Sequence, residues 1–121
     1  MSVDIHPGNI VWRQGTLTGV VDWAAARLGS RWFEFAQCRA GIALLFGMSG
    51  VRRVTEHYLD VVGEAPVDLP IFDLMAGLVA RQFGPSAWLS SYRQQGCTDT
   101  PRQFAARMPP FLRQALAEMG A

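Results

Sequence analysis

From Trp32 to Phe46 the chain is apolar at almost every turn, with Phe35, Ala36, Ala40, Ile42, Ala43, Leu44 and Leu45 in close succession. A strand rarely runs so long, so the stretch reads as a buried central helix. Gly47 to Gly50 is expected to break it. Val54, Tyr58, Val61 and Val62 then fall at helical spacing, and Gly63 stops that helix. Asp68 is the expected N-cap of a third helix, with Pro70 in its first turn and an apolar face of Ile71, Leu74, Met75, Leu78 and Val79. Gly84-Pro85 ends or kinks it, and Ser86 is expected to cap a continuation carrying Trp88, Leu89 and Tyr92 to about Gln95. Thr100-Pro101-Arg102-Gln103 has the capping-box pattern. Pro109-Pro110 interrupts again, before a final amphipathic helix with Phe111, Leu112, Ala115, Leu116 and Met119.

Ahead of these helices lies a small β part. Asn9-Ile10-Val11-Trp12 and Leu17-Thr18-Gly19-Val20-Val21 flank Arg13-Gln14-Gly15-Thr16, which reads as a hairpin with Gly at the turn. Two strands alone are marginal, so the hairpin is expected to lie on the helices. Trp23 to Arg31 has no clean period and reads as an irregular loop. The expected fold is α+β, mainly α-helical, with one short β-hairpin near the N-terminus. Residues 1–121 form a single domain, long enough for a real core.

Apolar residues make up 50% and charged ones only 17%, a greasy balance that fits a surface covered by something else. The net charge of +1 gives no bulk attraction for nucleic acid or an anionic membrane. Cys38 and Cys97 are too few for a disulfide framework or a zinc site. The start lacks a basic segment followed by an apolar run, so no signal peptide is expected, and no apolar run is long enough to span a bilayer. A cytoplasmic protein is expected.

The residues with the most specific chemistry are Asp4-Ile5-His6-Pro7-Gly8-Asn9 and Val20-Val21-Asp22-Trp23. An Asp, an Asn five residues on and a second Asp thirteen residues after that stand at the mouths of the two strands. Phosphoryl transfer to a hydroxyl needs the hydroxyl oriented and the charge on the transferring oxygens neutralised by Mg²⁺. That ion takes hard oxygen ligands, which Asn9 and Asp22 offer. Asp4 is placed to receive the hydroxyl proton or hold the hydroxyl in line. Pro7 and Gly8 suit a sharp turn between them. Taken singly, Asp22 is also an ordinary strand-end residue and Asn9 an ordinary turn residue.

Together with Gly19 and Ala26-Arg27-Leu28-Gly29, these segments resemble the catalytic loop and metal-binding segment of the aminoglycoside phosphotransferase and choline kinase-like family. The resemblance implies the C-terminal lobe of a protein-kinase-like fold, ATP and Mg²⁺ as cofactors, and a small-molecule hydroxyl as acceptor. It makes Asp4 the catalytic Asp and Asn9 and Asp22 the metal ligands. The chain departs from the family pattern at Ser2, where a bracing His is usual, and at Ser30 and Glu34, where Asp is common. It opens three residues before Asp4 and contains no Lys, so the amino-terminal nucleotide lobe with its phosphate-binding Lys is expected to be absent. The isolated chain would then be a weak or inactive phosphotransferase. The alternative is a non-catalytic remnant or dimerising interaction domain that keeps the fold. Either the missing lobe or a second copy would cover the exposed apolar surface.

Several other residues carry a duller reading beside a functional one. His6 with Asp4 invites a metal site, but one Asp-x-His pair supplies too few ligands. His57 reads as a surface residue of its helix, and Cys38 as a small core residue. Trp32, Phe33 and Phe35 could line a cleft, though a core cluster at a helix start is commoner. Glu56, Asp60, Glu64, Asp68 and Asp73 are acidic residues that a polycationic substrate could meet, and they also read as a solvated face.

Overall fold

A two-residue turn starts the architecture, in a computed structural model that describes residues 5–64 and 67–120. Gln14 and Gly15 both have positive φ, 50° and 77°, the conformation of a tight hairpin turn whose twist matches its strands. It joins β1 (Ile10–Arg13) to β2 (Thr16–Val20) in an antiparallel pair. Trp12 pairs with Leu17 but Val11 with Gly19, so Thr18 is the extra residue of a bulge. Its Oγ1 donates to the Val11 carbonyl at 3.1 Å. The hairpin stands clearer of the helices than expected. Val11, Trp12 and Leu17 are exposed, Trp12 to 62%, and an open cleft of about 460 Å³ lies among Trp12, Phe46 and Cys97.

The loop after β2 is irregular, as its lack of periodicity implied. The Trp23 indole N–H folds back to the Val20 carbonyl at 2.8 Å. Ser30 then caps α1 (Arg31–Val62), its hydroxyl accepting from the Trp32 amide. The expected break is confined to one residue. Gly47 has φ 68° and ψ −166°, while Met48 to Gly50 are already helical again. That single non-helical residue folds α1 back on itself, so Phe35 stacks on Tyr58 with ring centroids 3.9 Å apart. Trp32 packs edge-on against both rings, which makes the aromatic residues at the helix start core. Gly63 ends α1 in a left-handed conformation, its N–H bonded to the Leu59 carbonyl.

The next helix, α2 (Leu69–Phe83), turns a different face inward than the apolar pattern indicated. Leu69, Asp73, Ala76, Gly77 and Ala80 are buried, whereas Ile71, Met75 and Leu78 are about half exposed. The helix is apolar on most of its circumference, and the choice of face falls to small residues and one buried charge. A Cβ at Gly77 would run into the Leu112 side chain, so glycine there sets how closely α2 and α5 approach. Asp73 pairs with Arg39 of α1, and that bond, rather than hydropathy, points its face inward. Asp68 occupies the N-cap position without a side-chain cap. Its backbone carbonyl accepts from Ile71 and Phe72 instead.

The remaining helices are α3 (Pro85–Gln94), α4 (Pro101–Ala105) and α5 (Met108–Glu118). Gly84, not Ser86, is the N-cap of α3, because Pro85 already occupies the first helical position. The capping box at Thr100 forms in full: its hydroxyl accepts from the Gln103 amide, and the Gln103 side chain accepts from the Thr100 amide. The break expected at Pro109-Pro110 lies just before it, at Ala106 and Arg107, since prolines are tolerated in a first turn. Phe35, Leu44, Leu89, Phe104 and Phe111 anchor the core, each at or below 4% exposure and each contributing about 1.5–3 kcal/mol of burial free energy. Among the described residues no helix is long and apolar enough to cross a membrane.

Candidate functional site

The open end of the hairpin brings Asn9 and Asp22 to the same place. Ile10 pairs with Val20, and the Val21 amide donates to the Asn9 carbonyl at 2.9 Å, which carries the pairing one residue beyond the strands. Asp22 follows immediately, with φ 63° in the left-handed region. Asp and Asn enter that region more readily than other side-chain-bearing residues, because a short polar side chain can bond locally. Such backbone outliers collect where a side chain must be aimed. Asn9 is half-buried and Asp22 exposed. Asp4, the expected catalytic residue, lies outside the described residues.

As a donor set, an amide oxygen and a carboxylate are both hard ligands that suit Mg²⁺. Among the described residues no group of three or more His, Cys, Asp or Glu side chains could hold a metal alone. By donor chemistry alone the two belong to the kind of set with which Mg²⁺ keeps phosphates and water as its other ligands.

The loop before Asn9 is tied down from within and from outside. Pro7–Asn9 makes one 3-10 turn, and the Asn9 amide donates to the His6 carbonyl at 2.9 Å. His6 caps that turn, its Nδ1 accepting from the Gly8 amide at 3.1 Å. The same nitrogen lies 3.0 Å from the Tyr92 hydroxyl on α3. With the Gly8 amide donating to it, Nδ1 is the unprotonated nitrogen of this arrangement, and the Tyr92 hydroxyl shares its one lone pair as a second donor. The His6 ring also packs against Trp88 at 5.3 Å and edge-on to Tyr92 at 5.8 Å. Outside this ring, the Gln95 side chain donates to the Gly8 carbonyl at 3.3 Å. The sequence marked Trp88 and Tyr92 only as apolar positions of a helix. Nothing local signals their contact with His6, which lies 86 residues from Tyr92.

Other residues with a chemical reading fall elsewhere. His57 is exposed on α1. Burial pushes the Cys38 thiol up to about 11, with Glu34 adding to the rise, so this cysteine is no nucleophile at neutral pH. Asp73 leaves the expected acidic face altogether: it is 1% exposed and doubly bonded to Arg39 at 3.1 and 3.0 Å. Glu64 pairs at the surface with Arg31. Asp99 and Arg107 form a third ion pair, and Arg107 also donates to the Leu44 carbonyl at 2.9 Å, tying the loop before α4 to α1.

Against known families, the model described as the phosphotransferase enzyme family matches residues 3–68, slightly more than half of the chain. No curated protein matches the chain, and no solved structure does either. The matched span includes the His6–Asn9 turn, the hairpin, Asp22 and all of α1, and it ends just before α2.

Proposed function

The chain belongs to the phosphotransferase enzyme family, and from that premise we propose that it is the C-terminal, catalytic-loop lobe of a kinase acting on a small-molecule hydroxyl. Asp4 would orient the acceptor hydroxyl and take its proton as the new O–P bond forms, the bond from the γ-phosphorus to the β–γ bridging oxygen breaks and ADP leaves. Asn9 and Asp22 are the ligands that hold Mg²⁺. ATP supplies the phosphoryl group, and the ion, when bound, neutralises charge on the phosphate oxygens. A nucleotide lobe facing the hairpin mouth completes the cleft. The setting is the cytoplasm, with which the free thiols of Cys38 and Cys97 accord.

The observation that carries this reading is the Val21 amide bond to the Asn9 carbonyl at 2.9 Å. It supports the reading because it brings the backbone of Asn9 against the residue that precedes Asp22. Transferring a phosphoryl group is mainly a matter of positioning and electrostatics, so two correctly set ligands are the part of the machinery this lobe must supply. The lobe by itself is expected to be a poor catalyst, because the triphosphate is clamped from both sides of such a cleft.

Calorimetric titration with ATP, with and without Mg²⁺, tests the proposal on the intact chain and on Asp22→Asn. Saturable binding that needs the ion and disappears in the variant is the expected result. Binding that ignores the ion, or survives the substitution, refutes the assignment of Asp22. Absence of binding at millimolar nucleotide refutes the claim that this chain holds the metal-nucleotide half-site and favours the non-catalytic alternative.

A further inference from the structure

We infer that Tyr92, assisted by Gln95, is a positioning residue for the Asn9 loop, so that α3, outside the span shared with the family, sets the geometry of the site. The inference rests on the proposed role of that loop and adds residues that no motif contains. The loop needs such support. Its hairpin is two-stranded and largely exposed, and a two-stranded hairpin is marginal on its own. The 3-10 turn before it is only three residues long.

Two close approaches show how closely the loop fits its seat. At Gly41 of α1, a Cβ would stand 3.1 Å from both the His6 Cβ and the Pro7 Cδ. At Gly8, a Cβ would come within 2.8 Å of the His6 ring and 3.2 Å of the Tyr92 ring. The backbone thus sits in a notch of α1 and is closed over by α3. Tyr92 is 2% exposed, and its other face packs on Phe104 at 5.8 Å, so its hydroxyl is presented by a ring that cannot swing away. Through Nδ1 that hydroxyl fixes the His6 ring, the ring fixes the Gly8 amide, and the His6 carbonyl fixes the Asn9 amide at 2.9 Å. Three hydrogen bonds thus converge on His6, one from α3 and two from the loop itself, and they join Asn9 to α3 through that residue.

Tyr92→Phe removes the hydroxyl and keeps the ring, and Gln95→Ala removes an exposed side chain that bonds the loop alone. Amide exchange measured by NMR on the intact chain is expected to quicken at Gly8 and Asn9 in both variants, by about fivefold for one lost hydrogen bond. The Nδ1 nitrogen resonance of His6 should shift in Tyr92→Phe, while exchange in α1 and α5 stays as it was. In the ATP titration with Mg²⁺, affinity should fall by a similar factor in Tyr92→Phe. Unchanged exchange at Gly8, or equal quickening throughout the helices, overturns the inference. So does full nucleotide affinity in a Tyr92→Phe chain whose wild type binds. If the wild type binds no nucleotide, the proposed function fails instead, and exchange at Gly8 still decides whether the hydroxyl holds the loop.

Discussion

Replacing Asp73 with alanine should cost about 3–5 kcal/mol, the range for breaking a buried ion pair from one side. Arg39 is 5% exposed, and its guanidinium gives Nε and one terminal nitrogen to the two Asp73 oxygens. The other terminal nitrogen donates to the Thr55 hydroxyl at 2.6 Å, and that hydroxyl donates to the Val51 carbonyl at 2.6 Å. Three helical segments therefore meet at one cation: the first half of α1, its second half beyond Gly47, and α2. Without Asp73 the charge keeps the Thr55 hydroxyl and the Phe35 ring, 5.8 Å away, which places the expected loss near the lower end, about 3 kcal/mol. A domain of this size has roughly 5–15 kcal/mol in all, so the variant should fold but only just. Urea denaturation followed by circular dichroism should show the midpoint falling by about 2 M, for a slope of about 1.5 kcal/mol per molar. The double substitution Arg39→Met, Asp73→Leu removes both charges and should recover most of the loss, because an apolar pair of similar volume avoids the desolvation of both ions. A single-variant loss below about 1 kcal/mol, or a double variant as weak as the single, would refute the view that the cost lies in a stranded charge.

The same carboxylate gives a pH signature. Burial pushes Asp73 up to about 6, against the pull of the Arg39 guanidinium, so its folded pKa stands above its unfolded one. Its stability contribution is then fully present below about pH 4 and lost as pH rises through about 6, because the protonated carboxyl, unlike alanine, still accepts from Arg39 while shedding its own desolvation cost; chemical denaturation of Asp73→Asn across that window should show a flatter profile than the wild type. Asp99 runs the opposite way. Its hydrogen bond from Arg107 holds it below the usual carboxylate range, so its contribution is present above about pH 4 and lost as pH falls through the lowered value. Asp99→Asn should soften the acid limb of the stability curve, and an unchanged limb would rule the pair out as its source. Gly77→Ala puts a methyl against Leu112 and should destabilise by about 1–3 kcal/mol in thermal melts, despite alanine's better helix propensity. A gain in stability there would mean that α2 and α5 adjust freely.

Much of this architecture was legible in the sequence where the physics is local. The turn at Gln14-Gly15, the stop at Gly63 and the capping box at Thr100 each depend on backbone groups within a few residues, and each appears where expected. The inward face of α2 was not legible. Apolar side chains surround that helix, and the buried position is an aspartate whose partner lies 34 residues away. Hydropathy ranks Asp73 as exposed, and only Arg39 makes its burial tolerable.

The positions of Asn9 and Asp22 on either side of a turn at Gln14-Gly15 were enough to set both at the open end of one hairpin, although the bulge at Thr18, which shifts the pairing by one residue, was not legible. What holds that end in place depends on the packed helices. His6 reads along the chain as an incomplete metal ligand, yet its Nδ1 is shared between the Gly8 amide and the Tyr92 hydroxyl. Side-chain hydrogen bonds between distant segments leave no periodicity to read, since they depend on where the packed helices finally set each donor.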